Sequence, residues 1–564
     1  MNDIYNIDEI PPVFLEILKN RGLEGREEIA DFLFPKLADL PKPAAMQGMA
    51  EAVDLIFEYL VAEKPILVWG DYDVDGTTGT ALLVNFFSSI GKEIDWHIPN
   101  RLHEGYGLNI DWFRKNGKYN AKQDFLLITV DCGISDAEVI NQVVQMGGRV
   151  IVTDHHSLPK ISLPDCIILN PSQENCGFNG KYLAGVGVAF YLAAGVRAKV
   201  LSTGGINETA QEINLKQFLA FVALGTIADL VHLSPTNRIL VKGGIEVLKI
   251  TQFPGIAALL DSCDIQDGNV GSEDIGFLLG PLINAAGRVG DSETVVKLLT
   301  TAFAPEAGKL VKKLVRLNNK RKSICINDLE ESLGILNVNQ VLEDRCVILA
   351  GDIHQGVAGI VASRLVDTFG VPVIVLGVKP GKTGETLLVG SARSVEGVSI
   401  VKAINQCSEF LLKYGGHDMA AGLTMSEVNF IDFRQKIQSV IAAMMDAKPV
   451  VPASRNDFYC PVADLMSEKY LAFLQLLEPF GPGNELPVFK DNNAKIVNSK
   501  RVGRTSEHLQ IALRGKYSNY KGIGFGLGKH RDEIQQNPER TIRYTPTKNR
   551  FRGTTSWQVR IIDI

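Results

Sequence analysis

The sequence predicts an α/β protein with a parallel-sheet domain, a long linking helix, a second α/β domain and a small C-terminal β-barrel. In the first half, short continuous aliphatic runs alternate with helical segments, which is typical of a parallel sheet buried on both faces. A long charged segment follows Pro305, and beyond Pro449 short strand-like runs are separated by glycine turns. A chain of 564 residues is also too long for one hydrophobic core.

These patterns divide the chain into five segments. In chain order they are a helical segment, the parallel-sheet domain, the linking helix, the second α/β domain and the barrel, at 1–60, 61–304, 305–332, 333–448 and 449–564. The strands expected in the first domain are the apolar runs 66–69, 125–130, 150–153 and 167–169. In the linking segment, Leu310, Leu314 and Leu317 recur at the spacing of one helix face.

The composition is that of a soluble globular protein, with 45% hydrophobic and 22% charged residues. The segment 1–21 has acidic residues before any apolar run and lacks the basic start of a secretory signal. No run approaches the roughly 18–20 apolar residues that span a bilayer. The eight cysteines form no Cys-x-x-Cys pair, which disfavours a zinc ribbon or a disulfide framework. We therefore expect a cytoplasmic protein with reduced thiols.

The charge is unevenly distributed along the chain. The net charge is −6, but residues 491–564 contain 15 Lys and Arg against 6 Asp and Glu, a local balance of +9. A basic C-terminal module on an acidic body suggests an anionic polymer as partner. The alternative is a basic surface without a ligand.

Carboxylates and histidines stand where the predicted strands of the first domain end. They are Asp71, Asp73 and Asp75 after the first strand, Asp131 after the second, Asp154, His155 and His156 after the third, and Asp229 after a helical run. Because parallel strands present their carboxyl ends at one edge of a sheet, these side chains should converge. Three carboxylates within five residues repel one another unless water or cations neutralise them.

Oxygen and imidazole ligands without a thiolate pattern favour Mn²⁺ or Mg²⁺ over zinc. Two such ions would clamp a phosphodiester and activate a water for in-line attack at phosphorus. A calcium loop beginning at Asp71 is the alternative interpretation, but its twelfth position is Leu82, where that loop needs a carboxylate. Taken alone, Asp229 could merely cap a turn, and a single histidine could be a satisfied polar residue.

The order and spacing of these residues resemble the signature of the DHH phosphoesterase superfamily. The resemblance implies two bound ions with Asp131 as the bridging ligand, and its metal ligands would be Asp73, Asp75, Asp131, His155 and Asp229. It implies catalytic roles for Asp131, His156 and Asp154, with His156 as a phosphate contact or ligand, and with Asp154 and Asp71 as supporting residues or weaker ligands. Pyrophosphatase-type relatives have a histidine four residues before the position of Asp73, where this chain has Trp69, which disfavours that activity.

Further segments resemble the RecJ family within that superfamily. In the segment 101–107, the resemblance implies that Arg101 pairs with a terminal phosphate and that Tyr106 stacks on a base or sugar. The segment 283–288 ends in Arg288 and resembles the family segment that supplies a phosphate-binding arginine.

The second α/β region resembles the DHHA1 substrate domain. The segments that carry this resemblance are 359–364, 391–394 and 415–422, and the substrate-binding residues it implies are Arg364, Ser391, Arg393, Gly415, Gly416 and His417. The segment 479–487 resembles the RecJ segment that leads into an OB-type barrel, with Glu485 in place of the usual proline. Barrel residues that could contact a single strand are Lys500, Arg501, Arg504 and Tyr517.

The resemblance implies a single-stranded-DNA-specific 5′→3′ exonuclease of recombination and repair, which uses two Mn²⁺ or Mg²⁺ ions and releases 5′-mononucleotides. The strand would thread between the two α/β domains. The resemblance also implies single-strand-binding protein and a RecQ-type helicase as partners, and we expect a monomer that does not bind a membrane. Two alternatives stay open. One is a DHH phosphodiesterase for short oligonucleotides or cyclic dinucleotides, whose members lack the basic barrel. The other is a non-catalytic DNA-binding scaffold, whose members have lost metal ligands.

Overall fold

The structure is a computed structural model of the chain. It describes nine stretches of the chain, which are 9–120, 124–159, 162–203, 213–265, 268–381, 384–446, 457–503, 505–551 and 554–564. Three sheets are present in these stretches, and a 32-residue helix lies between the first two. The fold is α/β, as the sequence predicts.

The first three helices divide between two hydrophobic cores. They are α1 (Pro12–Asn20), α2 (Arg26–Leu33) and α3 (Met49–Val61). Helices α1 and α2 pack into the core of the C-terminal domain, where the Phe14 ring lies 6.0 Å from that of Phe473. Helix α3 packs into the core of the first sheet instead. The N-terminal segment therefore contacts both the C-terminal domain and the first domain.

The first domain contains a five-stranded parallel sheet with the order β2-β1-β3-β4-β5. Its strands are β1 (Ile66–Gly70), β2 (Asp95–His97), β3 (Phe125–Val130), β4 (Gly148–Thr153) and β5 (Ile167–Leu169). Leu126 and Ile128 of β3 face one core, and Phe125 and Leu127 face another on the opposite side. The sheet is therefore buried on both faces, which explains why its strands are continuously apolar.

Helices cover both faces of this sheet. Helices α4 and α7 pack on one face, and α5 and α6 pack on the other. The helices of this domain are α4 (Val74–Ser89), α5 (Ile110–Lys115), α6 (Ala137–Gln145), α7 (Gly185–Thr203), α8 (Leu219–Ala228), α9 (Pro235–Leu248), α10 (Pro254–Ser262), α11 (Ser272–Asp274), α12 (Gly280–Val289) and α13 (Glu293–Thr300). A π-helical turn at Ile275–Leu279 joins α11 and α12 into one continuous helix.

Helix α7 overturns one expectation from the sequence. It has 19 residues and a mean hydropathy of 1.3, so by length and composition alone it could cross a membrane. The expectation that no run reaches this length is therefore wrong. However, 61% of an 18-residue stretch of this helix is buried inside the fold, and the first backbone amides of the helix donate to Asp75. These contacts identify α7 as a core helix.

The linking helix is α14 (Ala304–Ile335), which packs against α10, α12 and α13 of the first domain. The second domain follows with helices α15 (Val338–Asp344), α16 (Ala358–Phe369), α17 (Ile400–Asn405) and α18 (Phe430–Asp446). Helix α14 also packs against α16, so it contacts both domains along its length.

The second sheet is mixed, with the order β6-β7-β8-β10-β9 and parallel pairing only between β6 and β7. Its strands are β6 (Val347–Gly351), β7 (Val373–Pro380), β8 (Thr386–Arg393), β9 (Leu411–Gly416) and β10 (Ala420–Ser426). The register places Ser391 opposite Gly422, and Gly422 opposite Gly415. Small residues therefore form a row across one face of this sheet.

The C-terminal domain contains a six-stranded sheet and three helices. They are β11 (Phe458–Tyr459), β12 (Phe489–Val502), β13 (His508–Arg514), β14 (Asn519–Gly524), β15 (Glu539–Phe551), β16 (Thr554–Asp563), α19 (Val462–Leu465), α20 (Glu468–Leu477) and α21 (Arg531–Gln536). Strand β12 pairs with both β13 and β15, so five strands follow one another in a closed order. A buried ion pair between Arg550 and Asp274, at 2.6 Å, ties the domain to the helix that contains the π turn.

Candidate metal centre

Seven acidic and imidazole side chains converge at the carboxyl edge of the first sheet. They form three overlapping groups whose ligand atoms lie within 4.8 Å of one another, namely Asp131 with His155 and His156, Asp75 with His155 and Asp229, and Asp71 with Asp73 and Asp131. Asp71 follows β1, Asp131 follows β3, and Asp229 follows α8. The parallel topology thus brings together residues that are up to 158 positions apart, from Asp71 to Asp229.

His155 lies at the centre of the cluster. Its Nε2 atom is 3.1 Å from Asp131 Oδ1, 3.6 Å from Asp229 Oδ2 and 3.7 Å from Asp75 Oδ2. Burial, followed by the nearby charge of His156, lowers the pKa of His155 to about 4. The ring is therefore neutral at physiological pH, which is the form that binds a metal ion.

Asp131 is held in an unusual backbone conformation. Its φ of 61° lies in the left-handed region, which costs a non-glycine residue free energy and persists only where the surrounding structure fixes it. Its side chain is almost completely buried, and no donor satisfies the Oδ1 atom. A Cβ on Gly185 would lie 2.6 Å from the Asp131 Cβ, so glycine is required at the start of α7.

Asp75 is fixed by the start of the same helix. Its carboxylate accepts hydrogen bonds from the amides of Gly185, at 2.6 Å, and Val186, at 2.8 Å. A Cβ on Gly225 would approach Asp75 Oδ1 to 2.9 Å, so α8 can pass this carboxylate only with glycine at that position.

The carboxylates of the cluster repel one another when they are charged, and this repulsion is visible in their pKa values. Burial, and then the charge of Asp73, raises the pKa of Asp75 to about 7. Burial and the charges of Asp75 and Asp73 raise the pKa of Asp229 to about 9, and the pKa values of Asp71 and Asp131 also lie well above the usual range.

Divalent cations would relieve this repulsion. Asp71 Oδ1 and Asp131 Oδ1 are buried without a hydrogen-bond donor, and both belong to a group of converging ligand atoms. Carboxylate oxygens with one or two imidazoles suit Mn²⁺ or Mg²⁺, so the residues present fit these ions.

Asp154 does not face the cluster but holds His156. Its Oδ1 atom accepts hydrogen bonds from the amides of His155 and His156 and, at 2.8 Å, from His156 Nδ1. Its Oδ2 atom accepts one from the Ile134 amide at 3.0 Å. Burial disfavours the His156 cation, but the hydrogen bond to Asp154 and the nearby carboxylates outweigh it and raise the pKa of His156 to about 9. In the metal-free protein, His156 is therefore a cation at neutral pH.

Trp69 lies in the core beneath this edge. Its ring stacks on Phe113 at 5.3 Å and lies 4.4 Å from the ring of His97. The side chain that replaces the pyrophosphatase histidine is thus part of an aromatic core and supplies no ligand.

The cluster opens into a cleft between the first and second domains. A cavity of about 700 Å³ covers it and is lined by Asp71, Asp73, His155, Asp229 and Arg288, among others. A neighbouring cavity of about 810 Å³ extends along the face of the second sheet. Both cavities share Arg101, Tyr106, His156, Arg393 and His417, so these residues stand at the junction between them.

Three arginines surround this junction. Arg101 lies over the Tyr72 ring at 5.3 Å, and Arg393 Nη1 donates to Ser391 Oγ at 2.7 Å. Burial and the charges of Arg101, Arg321 and Arg393 lower the pKa of Arg288 to about 10. Cations this close together, opposite an acidic cluster, are arranged to bind a polyanion.

The remaining substrate-binding predictions separate into two sets. Ser391, Gly415 and Gly416 line the larger cavity, and the half-exposed Tyr106 lies against Tyr72 and His156. Arg364 is exposed on α16, lies near Cys325 of the linking helix and lines neither cavity. The structure does not bring Arg364 to the cleft.

The barrel candidates also differ from one another. Lys500 is exposed, whereas Arg501 is engaged by Asp532 at 2.8 Å and by the Gly528 carbonyl at 2.9 Å. Tyr517 is 91% exposed, with Lys516 Nζ 5.4 Å from its ring centre. Arg504 lies outside the described residues.

Sequence reasoning missed several residues that shape the site. Tyr72 supplies the ring under Arg101, while Gly185 and Gly225 give the cluster its space. Gly287 lets α12 approach the Tyr72 carbonyl, since a Cβ there would lie 2.6 Å from that oxygen. The sequence alone does not identify such a glycine as part of a site, because the residues that leave no room for a side chain are distant in the sequence.

The fold and the site together define a metal-dependent phosphoesterase. Residues 65–226 match the N-terminal domain of the DHH family, 340–443 match the DHHA1 domain, and 457–563 match the RecJ OB domain. The chain belongs to the RecJ family of single-stranded-DNA-specific exonucleases.

Individual relatives agree with this assignment. RecJ of Haemophilus influenzae is 33% identical, over 97% of this chain and 95% of its own length. RecJ of Bacillus subtilis is 32% identical over 93% of this chain, which spans 64% of that longer relative.

RecJ of Thermus thermophilus has been solved in complex with Mn²⁺, with a TM-score of 0.75, 29% identity and coverage of 98% of this chain and 78% of that one. It has also been solved in complex with Mg²⁺, with a TM-score of 0.72, 28% identity and coverage of 98% of this chain and 74% of that one.

Proposed function

We propose that this chain is a single-stranded-DNA-specific exonuclease that digests from the 5′ end and releases 5′-mononucleotides. One observation carries the proposal. The converging ligand groups, which share Asp131 and His155, open into the same cavity as Arg101, Arg288 and Arg393. That cavity joins ligands for divalent ions to cations for phosphates, which is what phosphodiester hydrolysis requires.

The metal ligands in this proposal are five residues, Asp73, Asp75, Asp131, His155 and Asp229. Asp131 belongs to two of the three ligand groups, which supports its role as the bridging ligand. Two Mn²⁺ or Mg²⁺ ions held there would neutralise charge on the scissile phosphate and lower the pKa of the attacking water. Asp71, which belongs to the same group as Asp73 and Asp131, supports them.

The other residues bind and orient the substrate. The cationic His156, fixed by Asp154, donates to a non-bridging oxygen of the scissile phosphate, and Arg288 stabilises charge on the same group. Arg101, Arg393 and Ser391 hold the terminal phosphate at the junction of the cavities, and Tyr106 stacks on the terminal sugar or base. Gly415, Gly416 and His417 form the opposite wall, along which the nucleotide lies.

Single-strand specificity follows from the cleft. The strand passes between the two α/β domains, which contact each other directly beside the cleft, where Arg288 of one domain hydrogen-bonds Gly356 of the other. A duplex would need both walls to separate. The basic C-terminal domain provides further backbone contacts before the strand reaches the cleft.

The proposal extends to the cellular role and the protein partners of the chain. We expect a monomeric cytoplasmic enzyme of DNA recombination and repair that binds single-stranded DNA. Its expected protein partners are single-strand-binding protein and a RecQ-type helicase, which would supply the unwound strand.

The test is digestion of a 3′-labelled, 5′-phosphorylated oligodeoxynucleotide with Mn²⁺, with Mg²⁺ and with EDTA. The matched duplex, the matched oligoribonucleotide and the Asp131→Ala variant serve as comparisons. We expect shortening from the 5′ end only on the single strand and only with metal, with 5′-mononucleotides as products and no cleavage by the variant.

Other outcomes would point elsewhere. Cleavage limited to oligonucleotides of a few residues or to cyclic dinucleotides would favour the phosphodiesterase alternative. Metal-independent binding of single strands without any cleavage would favour the scaffold. The latter conflicts with a cluster in which every metal-ligand position implied by the family resemblance is filled.

A further inference from the structure

Arg288 contacts the second domain from the end of α12. Its Nη1 atom donates to the carbonyl oxygen of Gly356, in the second domain, at 3.2 Å. The side chain is partly buried, and the charges of three other arginines, Arg101, Arg321 and Arg393, act on it. Repulsion from like charges would displace a long, flexible side chain, so the Gly356 carbonyl is an anchor that keeps this guanidinium beside the metal cluster.

The loop that supplies this carbonyl is itself held by two hydrogen bonds. The Gly356 amide donates to His354 Nδ1 at 3.0 Å, which closes the loop on itself. The His354 amide donates to Asp328 Oδ2, also at 3.0 Å. Asp328 is a buried residue of the linking helix α14, on neither wall of the cleft.

Backbone contact transmits the position of this loop to Arg288. A Cβ on Gly356 would lie 1.9 Å from the Arg288 carbonyl oxygen, so the loop is packed directly against the end of α12. The same loop carries Gln355, which lines the larger cavity. A shift of the loop would therefore move both the end of α12 and one wall of the cleft.

We propose that Asp328 is a positioning residue that sets the place of Arg288 through His354 and Gly356. The linking helix packs on both domains, so a carboxylate on it can hold the loop of one domain against the helix end of the other. The proposal rests on the proposed function, in which Arg288 acts on the scissile phosphate. It assigns α14 a part in catalysis beyond connecting the domains.

The experiment is a double-mutant cycle of Asp328→Ala with Arg288→Ala in the full chain, with single-strand digestion measured as kcat and KM. Displacing a catalytic group by about 1 Å costs on the order of 10²-fold, so we expect Asp328→Ala to lower kcat about 10–100-fold with little change in KM. Because Asp328 acts through Arg288, the double variant should be no slower than Arg288→Ala alone.

Two further variants separate positioning from general damage. Asp328→Asn keeps an acceptor oxygen for the His354 amide and should restore most of the lost kcat. Asp352→Asn is the matched control, because it makes the same chemical change at an exposed position of the same loop and should leave kcat unchanged. Thermal unfolding of each variant reports on folding. If Asp328→Ala does not fold, His354→Ala breaks the same chain of hydrogen bonds and takes its place in the cycle.

Losses of kcat that multiply in the double variant would overturn the proposal, as would a loss confined to KM. Failure of the proposed function is distinguishable, because the wild-type protein would then leave single-stranded DNA intact. The same cycle is then measured as binding of a 5′-phosphorylated oligodeoxynucleotide in EDTA. Non-additive weakening by the two substitutions would still support the proposed positioning, and additive weakening would reject it.

Discussion

The two walls of the cleft are built in opposite ways. On the first domain, Asp75 and Asp131 are fully or almost fully buried and are fixed by strand ends and helix amides. On the second domain, the wall includes the edge strand β9, most of whose residues are exposed, together with Ser391, Arg393 and a row of glycines. The metal cluster on the first wall is buried and acidic, and the second wall is exposed and basic or neutral.

This difference separates chemistry from recognition. Buried, mutually repelling carboxylates have a cost in stability that is acceptable only where cations are bound and used. An exposed sheet face with a few cations tolerates many substrates because it contacts the backbone rather than the bases. Substitutions on the first wall should therefore change kcat, and those on the second wall should change KM.

The largest effect is expected at Asp131. Asp131→Asn removes one charge from the proposed bridging ligand, and we expect kcat for single-strand digestion to fall by about 10³-fold or more. The matched control is Asp165→Asn, an exposed aspartate of the same domain, which should leave kcat within about twofold. If Asp131→Asn changed KM alone, it would contradict the proposal that the first wall determines kcat and the second wall determines KM.

The next effect is the pH dependence of the metal-free protein. The pKa values of Asp75 and Asp229 rise from 3.8 to about 7 and about 9 in the fold. Their neutral forms therefore contribute stability that is fully present below the unfolded pKa and lost as the pH rises through these values. We expect the unfolding midpoint in EDTA to fall between pH 5 and pH 9.

Mg²⁺ should reverse this loss at high pH, because it binds the deprotonated carboxylates. At a concentration of 100 times Kd, it would stabilise the fold by about 2.7 kcal/mol. Asp229→Asn should flatten the pH dependence in EDTA. A midpoint in EDTA that stays level or rises up to pH 9 would contradict the repulsion inferred for the acidic wall.

A smaller effect is expected on the second wall. Arg393→Ala removes a cation from the junction of the cavities, and we expect KM for 5′-phosphorylated single strands to rise about 10–30-fold. The preference for a 5′-phosphate over a 5′-hydroxyl should weaken at the same time, with kcat changed by less than about threefold. Arg364→Ala is the matched control, since that arginine lies outside both cavities. An equal effect of the two substitutions would argue against a terminal phosphate at Arg393.

The same contrast explains what the sequence could predict. Asp71, Asp131 and His155 follow strands whose apolar runs are local signals, and the topology of a parallel sheet then forces them together. For Asp154 the sequence left a supporting role and a weaker ligand open, and its hydrogen bond to His156 favours the supporting role.

Arg364 shows the limit of reasoning from a segment. The segment 359–364 lies on α16, where Gly359 faces Arg393 and Ser391, whereas Arg364 lines neither cavity. The division of the N-terminal helices between two cores is likewise invisible in a local pattern, because amphipathic helices do not specify which core they join.

The smallest effect is expected in the C-terminal domain, which lies outside both walls. Tyr517 is almost fully exposed beside Lys516, so it can stack on a base without rearrangement. We expect Tyr517→Ala to weaken binding of a 30-nucleotide strand by about 1 kcal/mol, or roughly fivefold, the lower end of the range for one stacked base. A pentanucleotide held only in the cleft should bind as before.

Arg501→Ala is the comparison for Tyr517→Ala. Because Asp532 already pairs with Arg501, we expect Arg501→Ala to weaken binding of the long strand less than Tyr517→Ala does. If Tyr517→Ala weakens binding of the long and the short strand equally, Tyr517 contributes to binding in the cleft. The C-terminal domain would then have no separate binding contribution from this residue.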